Sequence, residues 1–259
     1  MSAPLTLAAQ DWGAGAPLYI LHGVFGSSRN WSGIAQRIAD LRQVSALDAR
    51  NHGASPWADT MSYAEMADDL AAFHAARGHG ALDLVGHSMG GKTAMLFALR
   101  HPAAVARLAI VDVAPVTYHP TLTAYAHAMR VADLAGVTRR GDVDRQLVPA
   151  VADAAERAFL LQNLVFENGT PHWRLNLPVI ERAMPELSAY PELPPELTYT
   201  GPTLFIAGER SHYVRPEHRP AIMRLFPKAH IVRIREAGHW LHAERPDAFV
   251  ATLRAFLGT

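Results

Sequence analysis

Six short apolar runs punctuate the chain, at Leu18–Leu21, Gln43–Leu47, Leu82–Val85, Leu108–Val111, Thr203–Ala207 and Ile231–Ile234. Each is too short for a helix, and their nearly continuous apolar character suits strands covered on both faces. Segments of helical period lie between them. Ser62-x-x-Glu65 is a capping box that opens a helix with Met66, Leu70 and Phe73 on one stripe. A second helix starts near Met89, runs through Ala94, Leu96, Phe97 and Leu99, and must stop by Pro102. A third follows Pro246 through Phe249, Leu253 and Phe256. Strands alternating with helices predict an α/β fold, a mostly parallel central sheet with helices on both faces.

From about Val116 to Thr200 this rhythm breaks. Helical patterns appear at Leu122–Ala135, Glu156–Phe166 and Leu177–Leu187, with no strand pattern, before a Pro-rich exit at Pro191–Pro195. The expectation is a helical cap over residues 117–199, inserted before the last two strands. Residues 1–116 and 200–259 would then form the core. The competing reading is extra packing layers remote from any site.

Composition narrows the partners. Lys plus Arg equal Asp plus Glu at 24 each, with no dense basic run, so a nucleic-acid partner has no electrostatic footprint. Cys is 0, which excludes disulfides and thiolate metal sites, and no metal is expected. The first residues lack a basic, then apolar, leader pattern, and no apolar stretch approaches the ~18 residues of a membrane span. A cytoplasmic protein acting on a small molecule is expected. Oligomeric state is not encoded in any pattern read here.

The chemistry centres on Gly86-His87-Ser88-Met89-Gly90-Gly91-Lys92-Thr93, which satisfies two motifs. Gly86 to Gly90 is G-x-S-x-G, a nucleophile elbow; Gly86 to Thr93 is G-x-x-x-x-G-K-[ST], a phosphate-binding loop. Both expect a strand before and a helix after. In the first, Ser88 is the nucleophile and the Met89 N–H an oxyanion donor. In the second, Lys92 and Thr93 face phosphates and Mg²⁺, and Asp112 is the acidic residue that ends a second apolar strand.

Distant segments favour the elbow. His22-Gly23-Val24-Phe25-Gly26-Ser27 follows a strand where a second oxyanion donor is needed; Val24 N–H is assigned that role and Phe25 a pocket wall. Among 14 His, His239 stands out, on a Gly-containing turn after the last strand and in the right order to serve Ser88 as base. His22, His52 and His87 read as structural. The acid has two candidates. Asp112 closes the Leu108–Val111 strand, and Glu209 directly abuts the strand-end Gly208; Asp112 is preferred. A nucleotide-binding reading gives no role to His22–Gly26 or to His239.

With these pieces placed, the chain resembles the α/β-hydrolase superfamily over nearly its whole length, and is most similar to the YbfF-type esterases. The resemblance rests on His22–Ser27, Asp48–Ser55, Gly86–Lys92, Val111–Val116 and Ala237–Glu244. It implies that the triad acid is Asp112 and that Ser211 joins its hydrogen-bond network, with Glu209 as the other accessory candidate. It implies esterase or thioesterase activity without a cofactor. The same frame also supports cofactor-free lyases, perhydrolases and ligand receptors. Phe25, Tyr118 and Trp240 are candidate pocket residues; Met129, Phe166, Trp173 and Met184 could extend an apolar acyl pocket. Arg50 and Asn51 are read as supports for loop carbonyls.

Overall fold

The structure is a computed structural model and describes residues 3–258. Its strands are β1 (Ala9–Trp12), β2 (Pro17–Leu21), β3 (Gln43–Leu47), β4 (Leu82–His87), β5 (Val105–Val111), β6 (Leu164–Glu167), β7 (Thr170–Trp173), β8 (Thr203–Gly208) and β9 (Ala229–Ile234). Its helices are α1 (Ser32–Gln36), α2 (Tyr63–Arg77), α3 (Met89–Arg100), α4 (Thr123–Val131), α5 (Arg140–Leu147), α6 (Ala154–Leu160), α7 (Leu177–Ser188), α8 (Arg219–Leu225), α9 (Leu241–Glu244) and α10 (Pro246–Gly258). Seven strands form one sheet in the order β1-β3-β2-β4-β5-β8-β9. All neighbours pair in parallel except β1, which runs antiparallel to β3 at the edge.

The apolar runs are unbroken because the sheet is covered twice. Leu18, Ile20, Val44, Ala46, Val85 and Val111 pack with Ile34, Phe249 and Leu253 of α1 and α10. The alternate positions Tyr19, Leu21, Leu84, Leu108, Ile110 and Phe205 pack with Met66, Leu70, Met95 and Ile222 of α2, α3 and α8. Each fully buried Leu or Ile contributes about 1.5–3 kcal/mol relative to exposure. Ser62 opens α2 as its spacing predicts: its Oγ accepts from Glu65 N at 3.2 Å, and Glu65 Oε2 accepts from Ser62 N at 3.0 Å.

Two strand regions depart from the sequence reading. β1 escapes it because an edge strand is half-covered on both faces, so Ala9-Gln10-Asp11-Trp12 shows no alternation. The helix expected over Glu156–Phe166 ends at Leu160, turns once through Leu161–Asn163, and becomes β6. β6 pairs antiparallel with β7 across a two-residue turn. The turn residues Asn168 (φ 50°) and Gly169 (φ 80°) both take positive φ, as a type I′ hairpin requires. The segment between β5 and β8 is therefore four helices plus a hairpin, not helices alone. Among the described residues no helix is long and apolar enough to cross a membrane.

That segment is fastened to the sheet body by directional bonds. Asn176 N and Nδ2 donate to Asn51 O and Oδ1, both at 3.0 Å. Asn163 Nδ2 donates to Phe25 O at 2.8 Å, and Tyr63 Oη donates to Leu187 O at 2.6 Å. Lys92 Nζ donates to Ser188 O at 2.9 Å and Ala189 O at 2.6 Å, at the C-terminus of α7.

Candidate active site

Ser88 ends β4 and caps α3 with φ 53° and ψ −118°, a conformation that costs a non-glycine residue on the order of 1 kcal/mol or more. Its N–H donates to Val111 O at 3.1 Å, which ties the turn to the end of β5. The flanking glycines are steric requirements. A Cβ at Gly86 would lie 2.3 Å from Gly90 O, and one at Gly90 would lie 2.5 Å from both Leu21 O and His22 O. Ser88 Oγ carries no hydrogen bond to protein among the described residues, so its hydroxyl is free to rotate.

The Gly23–Gly26 turn, the candidate oxyanion loop, is braced by two neutral histidines. Gly26 N donates to Gly23 O at 3.0 Å, closing a turn with Phe25 at φ 61°. His22 Nε2 accepts from Ala49 N at 3.0 Å, and its Nδ1 donates to Gly23 O at 2.7 Å. His52 Nε2 accepts from Phe25 N at 3.3 Å, and its Nδ1 donates to Arg50 O at 2.9 Å. An amide can donate only to an unprotonated ring nitrogen, so both tautomers follow from the partners. Burial pushes the His52 pKa down to about 3 and lowers that of His22, which keeps both rings neutral. Because His52 consumes the Phe25 N–H, Val24 is left as the turn's available donor. The Met89 N–H, at the first turn of α3, is likewise without a protein acceptor among the described residues.

Asp112 follows β5 at φ 50° and is fully buried. Its Oδ2 accepts from His239 Nδ1 at 2.7 Å and from Ser211 Oγ, while its Oδ1 accepts from Gly208 N at 3.0 Å. Glu209 points elsewhere. It is exposed, and its Oε2 accepts from Glu236 N at 2.8 Å, across the β8–β9 edge. Ser211 therefore joins the Asp112 network and Glu209 does not.

Two residues beside His239, Tyr213 and Glu244, were not singled out by the sequence. Tyr213 stacks on its imidazole with ring centroids 4.1 Å apart, and Tyr118 Oη donates to Tyr213 O at 2.6 Å. His87 Nε2 donates to His239 O at 2.9 Å, and burial with the neighbouring His239 and His242 holds the His87 pKa well below the usual range. Glu244 straddles the loop, accepting from Gly238 N at 2.8 Å and Trp240 N at 3.2 Å. Its place ten residues past the end of β9, inside the matching Ala237–Glu244 stretch, was the available signal. His242 lies in α9, stacked on Trp31 at 4.2 Å, and burial lowers its pKa to about 3.

Ser88 stands where two cavities meet. One, the larger, holds His239, Val24, Phe25, Tyr125, Phe159 and Trp240 on its wall. The other is lined by Val24, Met89, Lys92, Tyr118 and Met184. Met129 is sealed in the core, and neither Phe166 nor Trp173 reaches these cavities; the hairpin carries them away from Ser88. Arg50 does not hold a loop carbonyl alone. It is fully buried and bidentate to Asp69 at 2.7 and 2.8 Å, with Glu65 at 3.2 Å. Lys92, in the first turn of α3, is buried against the end of α7. That position, with Ser88 opening α3 directly, leaves no loop to cradle phosphates. Among the described residues no group of three or more His, Cys, Asp or Glu could hold a metal ion.

Comparison with known proteins agrees with this geometry. Residues 16–246 match the α/β hydrolase fold family. The chain is 39% identical to the mouse (Mus musculus) sn-1-specific diacylglycerol lipase ABHD11, covering 98% of this chain and 85% of that protein. It is 32% identical to esterase YbfF of Escherichia coli, covering 96% of each. The solved structure of a marine microorganism esterase superposes with a TM-score of 0.93 at 36% identity, covering 97% of this chain and 99% of that one. This chain, with its strained serine at the β4–α3 turn, belongs to the α/β hydrolase fold family.

Proposed function

We propose that this protein is a serine hydrolase that cleaves carboxylic esters, thioesters included, through Ser88, His239 and Asp112. At the coarser level it is an ester-bond hydrolase, in keeping with its esterase and lipase relatives. The observation that carries the finer reading is the buried Asp112–His239 pair at 2.7 Å, on a loop whose imidazole shares a cavity with Ser88.

In this mechanism His239 Nε2 takes the Ser88 proton as Oγ attacks the ester carbonyl carbon. Asp112 Oδ2 holds the Nδ1–H tautomer and stabilises the imidazolium. The N–H groups of Val24 and Met89 bind the oxyanion. Collapse of the tetrahedral intermediate breaks the bond to the leaving oxygen or sulfur, which His239 protonates. Water then attacks the acyl-enzyme with His239 again as base, and Ser88 recovers its proton. Residues 117–199 act as a cap, placing Leu122, Tyr125, Glu156, Phe159 and Leu160 over the site. No step draws on a cofactor.

The test is labelling by a fluorophosphonate together with hydrolysis of a short-chain ester. Ser88→Ala should lose the label and lower kcat by about 10⁴-fold or more. Ester turnover retained in that variant would sink the assignment.

A further inference from the structure

We propose that the cavity limb between Ser88 and Lys92 is an acyl subsite for esters whose acyl chain ends in a carboxylate, recognised by the Lys92 ammonium. The inference rests on the esterase reading and adds the substrate class.

The two cavities divide an ester between them. His239 must reach the leaving oxygen, and it lines only the larger cavity, with Trp240 and Phe159. The alcohol therefore lies there. The acyl chain leaves Ser88 in the other direction, past Val24 and Met89, into the limb that Lys92 lines. Lys92 sits one helical turn from Ser88, on the same face of α3. The wall is mostly apolar, with Val113, Leu122, Met184 and Leu187, beside the polar His119 and Thr121.

The charge at the end of this limb lacks a counter-charge. Lys92 is 1% exposed, and its Nζ donates to two backbone carbonyls, Ser188 O and Ala189 O. It also lies 4.8 Å over the Tyr118 ring. An ammonium has three N–H donors, so the two carbonyls leave one for a ligand. No carboxylate ion-pairs with Lys92 among the described residues, and burial alone pulls its pKa down to about 7. The other fully buried cation among the described residues is treated differently, Arg50 being met by both Asp69 and Glu65. A buried charge without a partner is costly, and an incoming carboxylate would supply what the fold omits. The clasp on α7 accounts for two N–H groups, and the substrate carboxylate takes the third.

The test compares the monoethyl esters of succinate, glutarate and adipate with ethyl butyrate, pentanoate and hexanoate, by pH-stat. The wild-type protein should favour the acidic ester at the best chain length by about tenfold or more in kcat/KM, as a charge-assisted hydrogen bond allows. Lys92→Met should abolish that ratio; a merely loosened cap would slow both esters and leave the ratio intact. Should the variant fail to fold, the wild-type protein still decides. Glutarate should inhibit ethyl pentanoate hydrolysis at least about tenfold more strongly than neutral pentanamide does. Hydrolysis of neutral esters with no preference for acidic ones would overturn the subsite and leave the esterase standing. No hydrolysis of any ester would overturn the esterase reading, and equal binding of glutarate and neutral pentanamide, read by calorimetry, would then overturn the subsite separately.

Discussion

Asp112→Asn tests the site through the one neighbour that dictates how an amide would sit. Asp112 Oδ1 accepts from Gly208 N at 3.0 Å, and Oδ2 accepts from His239 Nδ1 at 2.7 Å. An asparagine is nearly isosteric, but only its oxygen can accept. If the NH₂ faced Gly208, two buried donors would oppose one another, which costs about 1–3 kcal/mol. The amide oxygen therefore takes the Gly208 side and the NH₂ faces His239. Nδ1 must then accept, the imidazole proton moves to Nε2, and the base can no longer take the Ser88 proton. Ser211 Oγ can rotate from donor to acceptor, so nothing else resists this arrangement. The expected loss is about 10⁴-fold in kcat at neutral pH, or ~5.4 kcal/mol of transition-state stabilisation. The assay is steady-state ester hydrolysis, with far-UV circular dichroism and active-site titration to verify folded protein. Glu209→Gln, altered at an exposed carboxylate, should change kcat less than about twofold. An Asp112→Asn enzyme with more than a tenth of wild-type kcat, or a larger loss in Glu209→Gln, refutes the reasoning.

Three further outcomes follow from packing and charge. Gly90→Ala forces a methyl to 2.5 Å from two backbone carbonyl oxygens and should cost about 3 kcal/mol or more in urea unfolding; a change under 1 kcal/mol would show that the elbow can relax. Arg50→Met leaves Asp69 and Glu65 buried without their cation and should cost about 3–5 kcal/mol, measured the same way, while a neutral effect would mean that water reaches the triad. His22, His52, His87 and His242 are all held neutral by burial, with His52 and His242 lowered to about 3. The unfolded chain binds protons at these sites below about pH 6.5 and the native chain does not. Stability is therefore full above that pH and falls as pH drops from 6.5 towards 3, each histidine adding on the order of 1 kcal/mol per pH unit. A flat unfolding free energy between pH 6 and pH 4.5 would exclude neutral buried histidines.

The parallel sheet was legible because two-sided burial writes itself as apolar runs, and the β4–α3 turn because its glycines are sterically required. Asp112 and His239, far apart along the chain, meet at 2.7 Å, and His239 shares a cavity with Ser88. The cap was read less well for a physical reason. α5 is a charged helix that buries little beyond Val143 and Leu147, so its apolar stripe is thin. The β6–β7 hairpin did announce itself, through Asn168-Gly169, but the apolar Phe159–Phe166 run was absorbed into a helix. Tyr213 was invisible for another reason: it stacks on His239 by way of a loop whose path depends on Ser211 and Tyr118, and no local pattern encodes that path.

The directional bonds beneath residues 117–199 bear on how such proteins diversify. Asn163 grips the Gly23–Gly26 turn, Asn176 grips the Asn51 loop, and the end of α7 is held by α3 through Lys92. These attachments converge on the loops that hold the reacting groups rather than on a remote hinge. Exchange of this segment between relatives is therefore not the exchange of an independent cassette. A chimera keeps a properly shaped oxyanion turn only if the incoming chain brings amides to positions 163 and 176 and offers free carbonyls at 188 and 189. Recombination at the β5 and β8 borders thus selects for co-inheritance of Asn51, Lys92 and the segment that they hold.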